Sequence, residues 1–181
     1  MPLVSAAAVI LGPGNLWAAP LGTVEPTGNV ASGALAAGWR QIGATNDGSQ
    51  FQYEQTSNAI MVEEEFDAVR WVTSARQISV VFAMAEMHRQ NLALALNLGA
   101  NAVNDASLIE PPAPNADLRV MLCHDTDQGG RWLFRQCFQV GNLAVQRKKA
   151  PDKSILAVTF RLEKPAGVAP FRAWGIASGV I

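Results

Sequence analysis

Asn46-Asp47-Gly48 stands between two β-prone runs, one ending at Ala44-Thr45 and one beginning at Phe51. These three residue types tolerate the positive φ values that a tight turn demands. In Phe51-Gln52-Tyr53-Glu54-Gln55-Thr56 ring and polar side chains alternate, the period of a half-buried strand. The segment therefore predicts a hairpin over about residues 39–56 and a chain built mainly of β-structure. It holds no catalytic group.

The alternation continues. Ile60, Val62, Glu64 and Phe66 would face one way on a next strand, with Met61, Glu63 and Glu65 on the other side. From Arg76, the set Ile78, Val80, Phe82 and Met84 marks a long central strand. The period then changes over His88 to Leu98, where Leu92, Ala95, Leu96 and Gly99 fall on one helical face. Leu118, Val120 and Leu122 restart the strand pattern, and Asp125-Thr126-Asp127-Gln128-Gly129-Gly130 supplies a second hairpin turn. On the return strand, Trp132, Phe134, Phe138 and Val140 share one face, opposite Arg131, Leu133, Arg135, Cys137 and Gln139. A turn near Arg147 to Lys153 leads to Leu156, Val158, Phe160 and Leu162, and a last strand falls near Phe171 to Ile176. About seven to nine strands with one helix, mostly in antiparallel hairpins, predict an antiparallel β-sandwich or barrel with one flanking α-helix. Two stretches, residues 22–38 and 100–116, are rich in Gly, Ala, Pro and Asn without a period, and read as long loops.

At 181 residues the chain can bury a core without disulfides or metal. Lys and Arg number 14 and Asp and Glu 15, a net charge of -1 that argues against a basic nucleic-acid-binding surface or a polybasic membrane anchor. Charged residues are 16% of the chain and hydrophobic ones 49%. Ordinary soluble domains carry about 25% charged residues, so much of this surface is expected to lie against other copies. No basic residue precedes the apolar run Ala6 to Leu11, which argues against a secretory signal, and no apolar stretch is long enough to span a bilayer.

Few residues invite chemistry. His124 with Asp125 and Asp127 is the one cluster resembling a metal or acid/base site, and the same residues suit a solvated turn. His88, at the strand-to-helix junction, is expected to cap or pack. Cys123 and Cys137 lie 14 positions apart; two buried free thiols are favoured over a bridge, because a chain of this size gains little from one. Nucleophile elbow, phosphate loop, dinucleotide fingerprint and zincin helix motifs are all missing from the sequence. Catalytic, cofactor and metal roles are therefore expected for none of its residues.

Asn15-Leu16-Trp17-Ala18-Ala19-Pro20-Leu21-Gly22-Thr23, Gly38-Trp39-Arg40-Gln41-Ile42-Gly43-Ala44-Thr45-Asn46-Asp47-Gly48, and Ala85-Glu86-Met87-His88 leading into Asn91-Leu92-Ala93-Leu94-Ala95-Leu96-Asn97 together resemble the major tail proteins of long-tailed, non-contractile bacteriophages. The resemblance implies a single tail-tube domain over residues 1–181, with an N-terminal arm at about 1–12. It implies a structural virion protein in the virion tail, made in the host cytoplasm. Copies would form a homo-oligomer of hexameric rings stacked into a hollow tube, with the tape measure protein inside and tail terminator and tail tip proteins at the ends. Genomic DNA would pass through the lumen without specific binding, and no membrane or cofactor is implied. Carboxylates on a channel wall would repel phosphate, which makes Glu63 and Glu65 the candidate lumen-facing residues. The long loops would make ring-to-ring contacts, ordering only on assembly.

Overall fold

The computed structural model describes residues 14–63, 66–99, 109–110, 118–143, 145, 152 and 154–175. Among them are eight strands and one helix: β1 (Gly14–Pro20), β2 (Arg40–Gln41), β3 (Thr45–Ile60), β4 (Arg70–Met84), α1 (Arg89–Ala95), β5 (Val120–Thr126), β6 (Arg131–Gln139), β7 (Leu156–Leu162) and β8 (Phe171–Trp174). They form one antiparallel sheet in the order β2-β1-β5-β6-β7-β4-β3, with β8 also on β6. β7 and β8 share one edge of β6, β8 along Arg131–Phe134 and β7 along Cys137–Gln139. The sheet also rolls over on itself. Phe51 of the terminal strand β3 lies 5.3 Å from Trp132, 5.9 Å from Phe134 and 5.3 Å from Phe171, ring centre to ring centre.

The roll encloses the first core, in which Leu16, Phe82, Met84, Leu122, Phe134, Leu156 and Phe160 are buried and Leu94 of α1 closes one side. Phe82 stacks on Phe160 at 5.7 Å. A second core lies on the opposite face of β1, β5 and β6, where Ala19, Trp39, Met121, Cys123 and Leu133 are buried. With both faces covered, β1 and β5 lose the alternation a one-sided strand shows.

Several expectations hold. The central strand from Arg76, the β5–β6 hairpin at residues 127–130, the strand at Leu156–Leu162 and the last strand at Phe171 are all present. Other expectations are corrected. Asn46-Asp47-Gly48 does not turn the chain. Asp47 (φ 60°) and Gly48 (φ 76°) take the positive φ their residue types allow, but they form a bulge inside β3, between the pairs Asn46↔Ala83 and Ser49↔Phe82. No hairpin spans residues 39–56; β3 instead pairs with β4 along its whole length. The strand expected over 60–66 is the tip of that β3–β4 hairpin, closed by the Val69 N–H on the Ile60 carbonyl at 3.0 Å.

The helix is shorter than expected and buries Asn91, Ala93, Leu94 and Ala95 in place of Leu92 and Leu96. His88 occupies its N-cap position without a side-chain capping bond, and the helix closes at the C-cap Leu96, before Gly99. On β6 a register shift between Val120 and Leu122 of its partner brings Cys137 to the first core with Phe134. Phe138 is thereby turned away, and Arg119 lies over its ring at 4.7 Å. All of the expected turn at Arg147 to Lys153 except residue 152, the N-terminal arm, and nearly all of the 100–116 loop fall outside the described residues.

Candidate assembly surface

The β3–β4 hairpin has two unlike halves. Near the body, Ser79–Met84 of β4 pair with β7, and Val80, Phe82 and Met84 enter the first core. Beyond Ser79, β4 pairs only with β3, and every residue from Arg70 to Arg76 is exposed. The projecting ribbon is knit by polar side chains: the Gln55 amide donates to Ser57 Oγ at 3.1 Å and to Thr73 Oγ1 at 2.7 Å. Its tip is apolar. Ile60, Met61, Val62, Val69 and Val72 are exposed, Trp71 is 68% exposed and Phe66 fully so. Contiguous exposed apolar surface of this kind marks a contact site, and withdrawing Phe66 or Trp71 from water would stabilise a contact by about 1.5–3 kcal/mol each. β3 is also a sheet edge along all 16 residues, with one row of backbone groups unpaired within the sheet.

The loop over residues 22–38 has the opposite character. It lies on the second core, with Leu35 and Ala36 packed against the buried residues there and the Trp39 indole N–H on the Val24 carbonyl at 3.0 Å. Two arginines of β6 hold it. Arg131 grips Asp125 through Nε at 2.6 Å and Nη2 at 2.8 Å, and donates its remaining nitrogen to the Gly33 carbonyl. Arg135 grips Glu25 through Nε at 2.6 Å and Nη2 at 2.8 Å, and donates to the Ala169 carbonyl at 2.7 Å. Hydrogen bonding to Arg135 holds the Glu25 carboxyl below its ordinary range. The expectation of a loop that orders only on assembly is corrected, because both bidentate pairs are internal to one chain. The same pairs account for two cations on a strand that otherwise belongs to the core.

A third cluster joins the segments around Arg40 and Asn91. Asn91 is fully buried; its amide donates to the carbonyls of Ile42 at 2.7 Å and Glu86 at 2.9 Å, and its Oδ1 accepts from Arg40 at 3.0 Å. The Glu86 carboxylate accepts from the Ala44 N–H at 2.9 Å and closes against Gly43, whose φ is +95° and where a Cβ would meet Glu86 at 2.5 Å. Gln41 reaches Asn15 at 2.8 Å. These residues tie the first strand, the β2 segment and the helix entry into one polar knot.

Compared with known proteins, the sequence matches the phage tail tube protein family over residues 1–150. The chain belongs to that family. No curated protein matches it. As a tail tube family member it is a structural protein of the virion tail that assembles with its own copies.

The tail tube fold also separates the residues that suggested chemistry. His124 and Asp125 are neighbours on β5, so their side chains point to opposite faces. His124 lines a cleft of about 510 Å³ with Gly14, Leu16, Thr45 and Asp47, and burial lowers its pKa. Asp125 is held by Arg131 on the other face, and Asp127 stands in the exposed turn. The three do not converge. Cys123 and Cys137 are buried free thiols in the second and first cores respectively, on opposite sides of the sheet, so they cannot bridge. Burial pushes both thiols well above their ordinary range. Glu63 is exposed at the hairpin tip, and Glu65 falls outside the described residues.

Proposed function

We propose that this chain, as one tail-tube domain over residues 1–181, closes into hexameric rings that stack into the hollow tube through which phage DNA is ejected into the host. One observation carries the reading. A chain with 16% charged residues leaves a 16-residue sheet edge unpaired and an apolar hairpin in solvent, surfaces that a lone subunit would have to shield and a polymer covers. Edge-to-edge joining of strands around a ring would remove the open edge altogether.

On this reading the chain has no catalytic duty. Its neighbours are further copies, a tape measure protein within the tube, and terminator and tip proteins at its ends. Assembly takes place in the host cytoplasm. DNA slides through without specific binding. Glu63 and Glu65 belong to the reading as channel-wall carboxylates that would repel phosphate.

Negative-stain electron microscopy of the purified protein at high concentration tests it. Hollow tubes with six-fold rings are expected. A chain that stays monomeric under all conditions, or forms a single closed ring that never stacks, would favour another virion component such as a tail terminator or decoration protein.

A further inference from the structure

At the foot of the projecting ribbon lies a groove of about 600 Å³, lined by Arg76, Ile78, Leu162, Lys164, Ala169 and Phe171 among others. Its floor is apolar and its rim carries two cations. Neither Arg76 nor Lys164 has an ion-pair partner among the described residues. The hairpin tip is the counterpart. Over 61–69, the described residues of the tip carry the carboxylates of Glu63 and Asp67 and no cation, interleaved with Met61, Val62, Phe66 and Val69. Glu63 and Asp67 likewise have no ion-pair partner among the described residues.

We infer that the acidic, apolar tip of one copy docks into the cation-rimmed groove of the next copy. The occupant has to be a second copy. Tyr53 lines the groove and Ile60 ends the strand, and seven residues of paired strand set them about 23 Å apart. The ribbon stays paired from Gln55↔Arg76 to Ile60↔Arg70, so a tip cannot fold back into its own groove. Two different patches at opposite ends of one hairpin make a heterologous contact, the kind that repeats from copy to copy into a ring or a fibre. The inference rests on the tube reading and places Glu63 between copies in place of the channel wall.

Charge reversal tests it. Glu63→Lys with Asp67→Lys, or Arg76→Glu with Lys164→Glu, should each raise the concentration needed for tube growth by about tenfold or more, a shift of the size expected when paired charges become like charges. All four changes in one chain should restore growth. Thermal melting of the free subunit should be unaltered, since all four residues are on the exposed ribbon or groove rim. Unchanged growth in both double variants overturns the docking, as does normal growth with slowed DNA ejection in the tip variant, which returns Glu63 to the channel wall.

A second measurement does not depend on tubes. Phe66→Cys with Ala169→Cys in one chain should give a ladder of disulfide-linked oligomers on oxidation, while either single variant gives no more than dimers. A ladder without tubes keeps the docking and discards the tube. Monomer alone overturns the docking.

Discussion

The 22–38 loop and the projecting half of the β3–β4 hairpin exchange the roles their backbones suggest. The loop has no strand or helix, yet the Arg135–Glu25 pair, the Arg131 bond to the Gly33 carbonyl and an indole hydrogen bond fasten it to the body. The ribbon is paired strand throughout, with one register shift at Thr56/Ser57, yet beyond Ser79 only its own two strands hold it. Regularity is thus a poor guide to what a segment is attached to. Attachment comes from side chains that reach a second element, and by that measure the loop belongs to the body while the outer hairpin is held by nothing else in its own chain.

The sharpest way to break the contrast is to remove residues 24–36. The deletion strips the second core and leaves Arg135 without Glu25, so the expected product is an insoluble or unfolded chain, measured by circular dichroism; a folded monomer that merely fails to polymerise would make the loop an assembly element after all. Next in size, Arg131→Met leaves Asp125 buried without its partner and should cost about 3–5 kcal/mol in urea unfolding. A smaller effect is expected at the bulge, where Gly48→Ala forces a side chain into the left-handed region and should cost about 1–2 kcal/mol.

Acid should also weaken the loop's hold. The Glu25 carboxyl binds its proton less readily in the folded chain than in the unfolded one. Its contribution is therefore constant above the ordinary carboxylate range and is lost as pH falls through and below that range. Glu163, lowered by hydrogen bonding to Arg119, acts in the same direction. His124, lowered by burial, starts the decline earlier, from its ordinary range near neutrality downward. As pH drops, unfolding midpoints should fall first through the histidine range and further through the carboxylate range, and a flat profile would remove these groups from the account. Smallest of all for folding is Phe66→Ser, which should shift stability by no more than about 0.5 kcal/mol yet abolish tube growth seen by microscopy.

Period two was legible wherever one face meets the core and the other meets solvent, as at Val80–Phe82–Met84 and at Leu156–Val158–Phe160. It failed for three physical reasons. Around Asp47 and Gly48 positive φ was legible from the residue types, but a turn and a bulge use the same torsions, and only the distant strand β4 decides between them. Residues 60–66 read as a strand because Ile60, Val62 and Phe66 alternate, whereas the exposure of Ile60, Met61, Val62 and Phe66 in a single subunit is that of a contact surface. β1 offered no alternation because it is covered on both faces. The helix face was misjudged because Asn91, polar and fully buried, makes hydrogen bonds to residues some fifty positions away. Of the candidate site, the acidic run was visible and its place at a hairpin tip was not.

The sequence of β3 contains no Lys, Arg or Pro among its 16 residues, the groups with which natural sheet edges discourage unplanned pairing. This edge is blunted instead by two register irregularities, at Asp47–Gly48 and at Thr56/Ser57, and by the carboxylates of Asp47 and Glu54. If growth proceeds along it, addition to an existing end is easy and the slow event is the first closed ring, so polymerisation would show a lag that seeds abolish. The timing and the length of the polymer would then be decided by whatever starts and stops it, and not by the strength of the contact between one copy and the next.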